Sequence, residues 1–238
     1  MNRKIEIDLH THTIYSGHAT GTIPDNAKAA REAGLTGLGI SDHAPGIPGV
    51  CDPSWFLRIR EIPRQIEGIH IYYGVENNLL NGGKMALGDE YLGLLDYNMV
   101  GIHGTCYRDE GMERNTQNLI ECMKHPKTFF VSHPDDGTWP LDYERLVAAA
   151  KELGVALELN NAHVASPWRK NSLENMKIYL ALCLRYRAPI FLGSDAHEPG
   201  KVGRFDEAFS LLETIGFDEE LIVNASEERF LKFTDLHK

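Results

Sequence analysis

Nine residues of metal-ligating type recur along the chain: His10, His12, His18, His43, Glu76, His103, His133, Asp195 and His197. Most close or directly follow a short apolar run, in IEIDLHTH, GLGISDH, IYYGVE, MVGIH, FFVSHP and IFLGSDAH. Neutral imidazole nitrogen and carboxylate oxygen suit zinc, manganese or iron. Several such ions held close together suggest hydrolysis of a phosphate ester.

The spacing sharpens this expectation. Residues two apart on a strand point to the same face, so His10 and His12 can reach one ion, and Asp195 and His197 repeat the interval. A carboxylate buried unpaired in an apolar run, as at Glu76, would be costly, and bridging two cations removes the cost. Asp42 fits two roles equally: partner to the second N–H of a metal-bound imidazole, or a turn cap. Each motif alone is weak evidence. Of 11 histidines, however, seven fall at strand ends or in the adjoining loops. The other four divide as follows: His70 is expected in a strand as structure, His125 and His237 at the surface, and His163 is a candidate for the pocket wall. Cys106, three residues after His103, is a candidate neighbour of the site.

The elements that must position these residues alternate. Strands are expected at Ile5–Leu9, Leu35–Ile40, Ile69–Val75, Asn98–Ile102, Thr128–Val131, Val155–Leu159 and Ile190–Leu192, the third ending at Glu76. Helices are expected at Asp25–Ala33, Leu141–Leu153, Leu173–Arg187, Phe205–Ile215 and Glu227–Phe233. Pro24 and Gly34 mark the ends of the first, and Gly154 ends the second. Strand–helix alternation implies parallel strands with right-handed crossovers. An open doubly wound sheet also fits, but ligands at the ends of six of seven strands converge only if the strands form a ring. In a barrel, functional residues gather at the C-terminal ends of many strands. The expected class is therefore an α/β barrel, one domain over residues 1–238. The Ala44–Pro53 loop is expected to be a lid or pocket wall.

Composition narrows the classes further. A length of 238 residues matches a single barrel, and 42% hydrophobic residues suffice for a core. A net charge of −10 argues against a broad grip on nucleic acid or anionic membrane. An anionic substrate remains compatible, because three divalent ions would concentrate positive charge in one pocket. No run approaches the roughly 20 apolar residues of a membrane span, and no signal-length apolar stretch opens the chain. Cys51, Cys106, Cys122 and Cys183 are scattered without a CxxC pair, which fits reduced thiols and a cytoplasmic location. Oligomeric state leaves no mark on the sequence.

In their order, DLHTH, SDH, GVE, GIH, SHP and GSDAH resemble the motifs of the polymerase and histidinol phosphatase (PHP) superfamily. The resemblance runs from Asp8 to His197. LELNN and the later RF are most similar to the stand-alone PHP phosphatases. It implies a distorted (β/α)7 TIM-like barrel, a trinuclear metal site and hydrolysis of phosphate esters by a metal-activated water. Carried over by motif, His10, His12, Glu76 and Asp195 would hold one ion. Glu76, His103 and His133 would hold a second, with Glu76 bridging. His18, His43 and His197 would hold the third. Zinc is the first expectation, with manganese or iron as alternatives. Glu76 and Asp195 are thus the candidate catalytic carboxylates.

Arg169, Arg204 and Lys84 are candidate phosphate contacts, and Trp55 and Trp168 candidate apolar walls for the leaving group. The expected activity is hydrolysis of a small-molecule phosphate monoester, histidinol phosphate being one option. A phosphodiesterase or nuclease is the second reading, disfavoured by the acidic balance. A non-catalytic metal-binding domain is the third.

Overall fold

Short runs rich in apolar and β-branched residues form most of the strands. In the computed structural model, which describes residues 4–235, these are β1 (Ile7–Asp8), β2 (Gly37–Ile40), β3 (Gln65–Ile66), β4 (Ile69–Tyr73) and β5 (Glu76–Leu80). They continue as β6 (Lys84–Met85), β7 (Asn98–Gly101), β8 (Thr128–Val131), β9 (Ala156–Asn160) and β10 (Ile190–Gly193). β3 and β6 are short antiparallel additions; all other pairings are parallel.

One sheet runs β1–β2–β4 and the other β10–β9–β8–β7–β5. β4 and β5 are two halves of one path, separated only by Gly74 and Val75. The first half pairs with β2 and the second with β7. Isolated parallel bridges, His43 to Glu76 and Thr11 to Ala196, join the sheets at both seams. Counting β4 and β5 as one, seven parallel strands form a distorted (β/α)7 barrel. The expected strand ending at Glu76 is corrected here: the strand breaks just before Glu76, which opens its second half.

Side chains alternate across the strands with period two. Leu38, Ile40, Ile71, Val100, Val131, Leu157, Leu159 and Leu192 belong to the larger core shared with the outer helices. Ile7, Leu9, Tyr72, Met99, Phe130 and Phe191 form a second cluster that fills the barrel. Burying each such side chain contributes about 1.5–3 kcal/mol. Phe230, on the helix Glu227–Asp235, packs edge-on against Tyr72 and closes this cluster. Asn224 ties the same segment down: its side chain bonds Ile7 O and both the N–H and C=O of Leu192.

The outer helices follow the sequence closely. Ile23–Glu32 carries Pro24 in its first turn and a reciprocal Thr22–Asp25 cap. Tyr143–Leu153 ends at Gly154 in the left-handed region. The short helices Trp55–Arg58, Asp89–Leu92 and Asn161–Val164 and one long helix, Met112–Met123, were not expected. The buried face of Met112–Met123 includes Asn115, Thr116 and Asn118, so no clean apolar stripe announces that helix. Among the described residues, no helix is long and apolar enough to cross a membrane.

Candidate metal centre

All nine ligand-type residues meet at the C-terminal ends of the strands. Glu76 is the hub. His133 Nε2 lies 2.6 Å from its Oε1 and His103 Nε2 3.3 Å away. Its Oε2 faces His43 Nδ1 at 2.8 Å, His10 Nε2 at 3.4 Å and His12 Nε2 at 3.5 Å. Asp195 Oδ1 lies 3.3 Å from His12 and 3.5 Å from His10. His18 and His197 approach through their Nε2 atoms at 2.9 Å. His197 also stacks on His12, with ring centroids 4.2 Å apart.

Close approaches in the backbone make room for this cluster. A Cβ at Gly193 would sit 1.8 Å from Glu158 Oε1, and one at Gly101 would sit 2.3 Å from Ser132 Oγ and 3.0 Å from Glu76 Oε1. His133 and Asp195 themselves adopt positive φ, 28° and 53°. Such strain in non-glycine residues is held only where surrounding structure over-determines it, and it concentrates at functional sites.

The hydrogen bonds fix where the lone pairs point. Glu158 accepts from His10 Nδ1 at 2.7 Å, which leaves the neutral ring's lone pair on Nε2. Ser16 Oγ donates to Asp42 at 2.7 Å and therefore accepts from His12 Nδ1 at 3.0 Å. The lone pair of His12 is thus also on Nε2. These two Nε2 atoms stand 3.1 Å apart beside Glu76 Oε2. Glu76 Oε2 and His43 Nδ1 are both buried without a hydrogen bond; their 2.8 Å approach has the wrong angle for one. With both imidazoles neutral, His10 Nε2, His12 Nε2 and Glu76 Oε2 are acceptors converging on one point, which fits a cation. Four triads of ligand atoms lie within coordination reach: His10–His12–Glu76, His10–His133–Asp195, His43–Glu76–His103 and His12–His43–His197.

The charge balance agrees. Burial pushes Glu76 up, but His103, His10, His43 and His133 outweigh it and hold its carboxyl well below the usual range. Burial pushes His103 down to about 4, and burial with His43 lowers His12, so both offer free lone pairs at neutral pH. His10 behaves oppositely. Burial lowers it, yet Glu158, Asp195 and Glu76 together raise it well above its ordinary value. The pocket calls for positive charge beside His10, from a proton or from a cation.

Beside the cluster opens a cavity of about 930 Å³, bordered by His18, Asp195, His197, Trp168, Lys201 and Arg204. Arg204 has no ion-pair partner among the described residues and faces this space. Arg169 is held by Asp136 at 3.0 Å and lies near enough to His133 to oppose its protonation. Lys84 is exposed on β6 and does not border the cavity. Trp168, 90% exposed, borders it, whereas Trp55 stacks on Tyr15 at 3.5 Å. The Ala44–Pro53 loop braces the His18 loop: Cys51 N–H bonds Tyr15 O, and Gly49 packs on Gly17. Cys106 Sγ packs against Gly46 of that loop.

Asp42 acts through Ser16 on His12 and also bonds Thr13, so it both orients an imidazole and shapes a turn. His70 pairs with Glu227 at 2.8 Å as strand structure, and His125 approaches Asp89. His237 lies outside the described residues. His163 is buried at the edge of the cluster, its ring 5.1 Å from that of His133. Reading the sequence missed Glu158, Ser16 and Asp135 as supports. The available signal for Glu158 was a lone acid at an inward position of an otherwise apolar strand.

An α/β barrel whose mouth gathers imidazoles around buried carboxylates has the architecture of a metal-dependent hydrolase. The PHP domain matches residues 8–152. A protein of Syntrophotalea carbinolica named as a probable phosphatase is 36% identical over 98% of both chains. One from Acetivibrio thermocellus, named likewise, is 38% identical over 95% of this chain and 94% of its own. The fold is similar to that of histidinol phosphate phosphatase from Lactococcus lactis, solved with zinc, L-histidinol and phosphate. That likeness has a TM-score of 0.60 at 15% identity, covering 91% of this chain and 95% of the other. A candidate histidinol phosphatase from Listeria monocytogenes gives 0.66 at 16%, covering 85% and 99%. The chain belongs to the PHP family and is a metal-dependent phosphoesterase.

Proposed function

We propose that the chain hydrolyses small-molecule phosphate monoesters at a trinuclear centre, with zinc the first choice of ion and manganese or iron as alternatives. The observation that carries this reading is the pair of Nε2 lone pairs of His10 and His12, facing each other at 3.1 Å beside the unpaired Glu76 Oε2. His10, His12, Glu76 and Asp195 would hold one ion. Glu76, His103 and His133 would hold a second. His18, His43 and His197 would hold the third. His43 also faces Glu76, which brings the third group against the first two. When bound, the ions would supply Lewis acidity and an activated water.

The chain's own groups do the rest. Glu158 and Ser16 keep the His10 and His12 rings in the ligating tautomer. Arg204, and Arg169 steadied by Asp136, would hold phosphate oxygens. Trp168 would cover the organic half of the substrate. The family match ends at residue 152, yet Glu158, Asp195 and His197 come from beyond it, which supports one functional unit over the whole chain. Four free thiols fit a cytoplasmic setting.

The test assays p-nitrophenyl phosphate, bis-p-nitrophenyl phosphate and histidinol phosphate, with metal analysis of the purified chain. Monoester turnover that is abolished by chelator and restored by zinc or manganese is the expected result. Preference for the diester overturns the monoesterase reading, and a chain that turns over none of the three overturns catalysis. Glu76→Gln should lower both metal content and turnover by about 100-fold or more, because it removes the shared ligand; unchanged turnover sinks the assignment.

A further inference from the structure

We propose that His163 is a further metal ligand, on the ion that Asp195 holds; the inference rests on the metal reading above. Among the described residues, two imidazoles are backed at Nδ1 by a buried carboxylate outside the proposed ligand set. The first is His10, whose Nδ1 meets Glu158 at 2.7 Å. The second is His163, whose Nδ1 meets Asp135 Oδ2 at 2.9 Å. Both rings turn their Nε2 toward the same residue: His10 toward Asp195 Oδ1 at 3.5 Å, His163 toward Asp195 Oδ2 at 3.8 Å.

The hydrogen bonds decide the tautomer. Asp135 Oδ2 also accepts from Ser172 Oγ at 2.6 Å, so this carboxylate is an acceptor on both counts. His163 must then donate from Nδ1, and the neutral ring carries its lone pair on Nε2. That Nε2 makes no hydrogen bond to the described residues. It faces a carboxylate oxygen, another acceptor, across 3.8 Å. A carboxylate-backed imidazole with its free nitrogen aimed at a metal-binding carboxylate is the arrangement that orients histidine ligands. The distance is compatible: bonds of about 2.0–2.2 Å place two ligands of one ion at most about 4 Å apart.

The segment is built to hold this geometry. Asn160 Oδ1 accepts the His163 N–H, while Asn160 Nδ2 donates to Asp195 Oδ2 at 3.2 Å. One asparagine thus positions both proposed ligands. Asp135 Oδ1 is buried and unpaired, which keeps the carboxylate's remaining charge close to the ring. Asp135 would be a positioning residue, acting on the ion only through His163.

The experiment uses the full chain loaded with cobalt(II), whose visible absorption reports ligand type and number. Wild type, His163→Ala, His163→Gln and Asp135→Asn are compared by spectrum, by ions retained against a chelator series and by circular dichroism. Loss of the His163 nitrogen should change the cobalt spectrum and release one ion about 10–100-fold more readily, with Asp135→Asn moving both readouts in the same direction. A folded His163 variant with the wild-type spectrum and the wild-type chelator resistance overturns the proposal. A wild-type chain that retains no ion at all overturns the underlying metal reading instead, so the two failures are told apart.

Discussion

Glu158 holds two neighbouring residues of the imidazole cluster at once: Oε1 takes the His10 Nδ1 hydrogen at 2.7 Å, and Oε2 takes the His133 backbone N–H at 2.7 Å. One fully buried carboxylate therefore sets a ring's tautomer and also anchors a residue at φ 28°. Glu158→Gln keeps the shape but can present an amide N–H to a ring that must itself donate. The expected result is a 10–100-fold weaker hold on metal with a matching fall in turnover, and near-wild-type circular dichroism. Metal content after dialysis against a graded chelator series measures it. Full retention would show that His10 is oriented by packing alone.

Two thiols predict how the fold behaves in alkali. Burial pushes Cys122 and Cys183 up to about 12, against a reference value of 9.0. The folded state thus keeps protons that the unfolded state releases between about pH 9 and 12. Stability is full well below pH 9 and falls as pH rises, by roughly 1.4 kcal/mol per thiol at pH 10. Burial raises Tyr97 and Tyr179 as well, which steepens the fall. Melting temperatures at pH 8, 9 and 10 should show an accelerating decline. At pH 8, a thiol reagent should leave Cys122 and Cys183 unlabelled until the chain is unfolded. Prompt labelling of all four cysteines would contradict their burial.

Legibility in the sequence followed physical locality. The convergence of the strand-end imidazoles and carboxylates was readable because the strand period and the apolar runs place them on one rim of the barrel. The split between β4 and β5 was not readable, since it depends on each half meeting a different neighbour, β2 or β7. The helix Met112–Met123 escaped because Asn115 and Asn118 spend their polarity on Asp109, Pro140, Tyr107 and Glu110. Those bonds compensate burial only in three dimensions. Glu158 and Asp135 escaped for the same reason: each lies far in sequence from part of what it supports, Glu158 by 148 residues from His10 and Asp135 by 28 from His163.

Trp168 projects into solvent at the cavity edge, where an apolar side chain gains nothing from the fold. A planar leaving group stacking on it would gain about 0.5–1.5 kcal/mol. Trp168→Ala should therefore raise KM for p-nitrophenyl phosphate about 2–10-fold with kcat nearly constant. A small aliphatic monoester such as glycerol phosphate should be unaffected. Equal changes for both substrates would place the effect in the loop's conformation, not in stacking.

Arg204 is the stronger candidate for direct contact with substrate, for a reason of pairing. Arg169 already spends a guanidinium nitrogen on Asp136. Arg204 borders the cavity beside His197 with no acidic partner among the described residues. A hydrogen bond to a charged group contributes about 1.5–3 kcal/mol, and solvent exposure favours the lower end here. Arg204→Ala should then lower kcat/KM roughly 10-fold, and inorganic phosphate should inhibit the variant correspondingly less. Arg204→Lys should recover only part of the loss, because a point charge cannot reproduce a two-pronged contact. If Arg204→Ala left both kcat/KM and phosphate inhibition at wild-type values, phosphate recognition would rest on the metal centre and Arg169 alone.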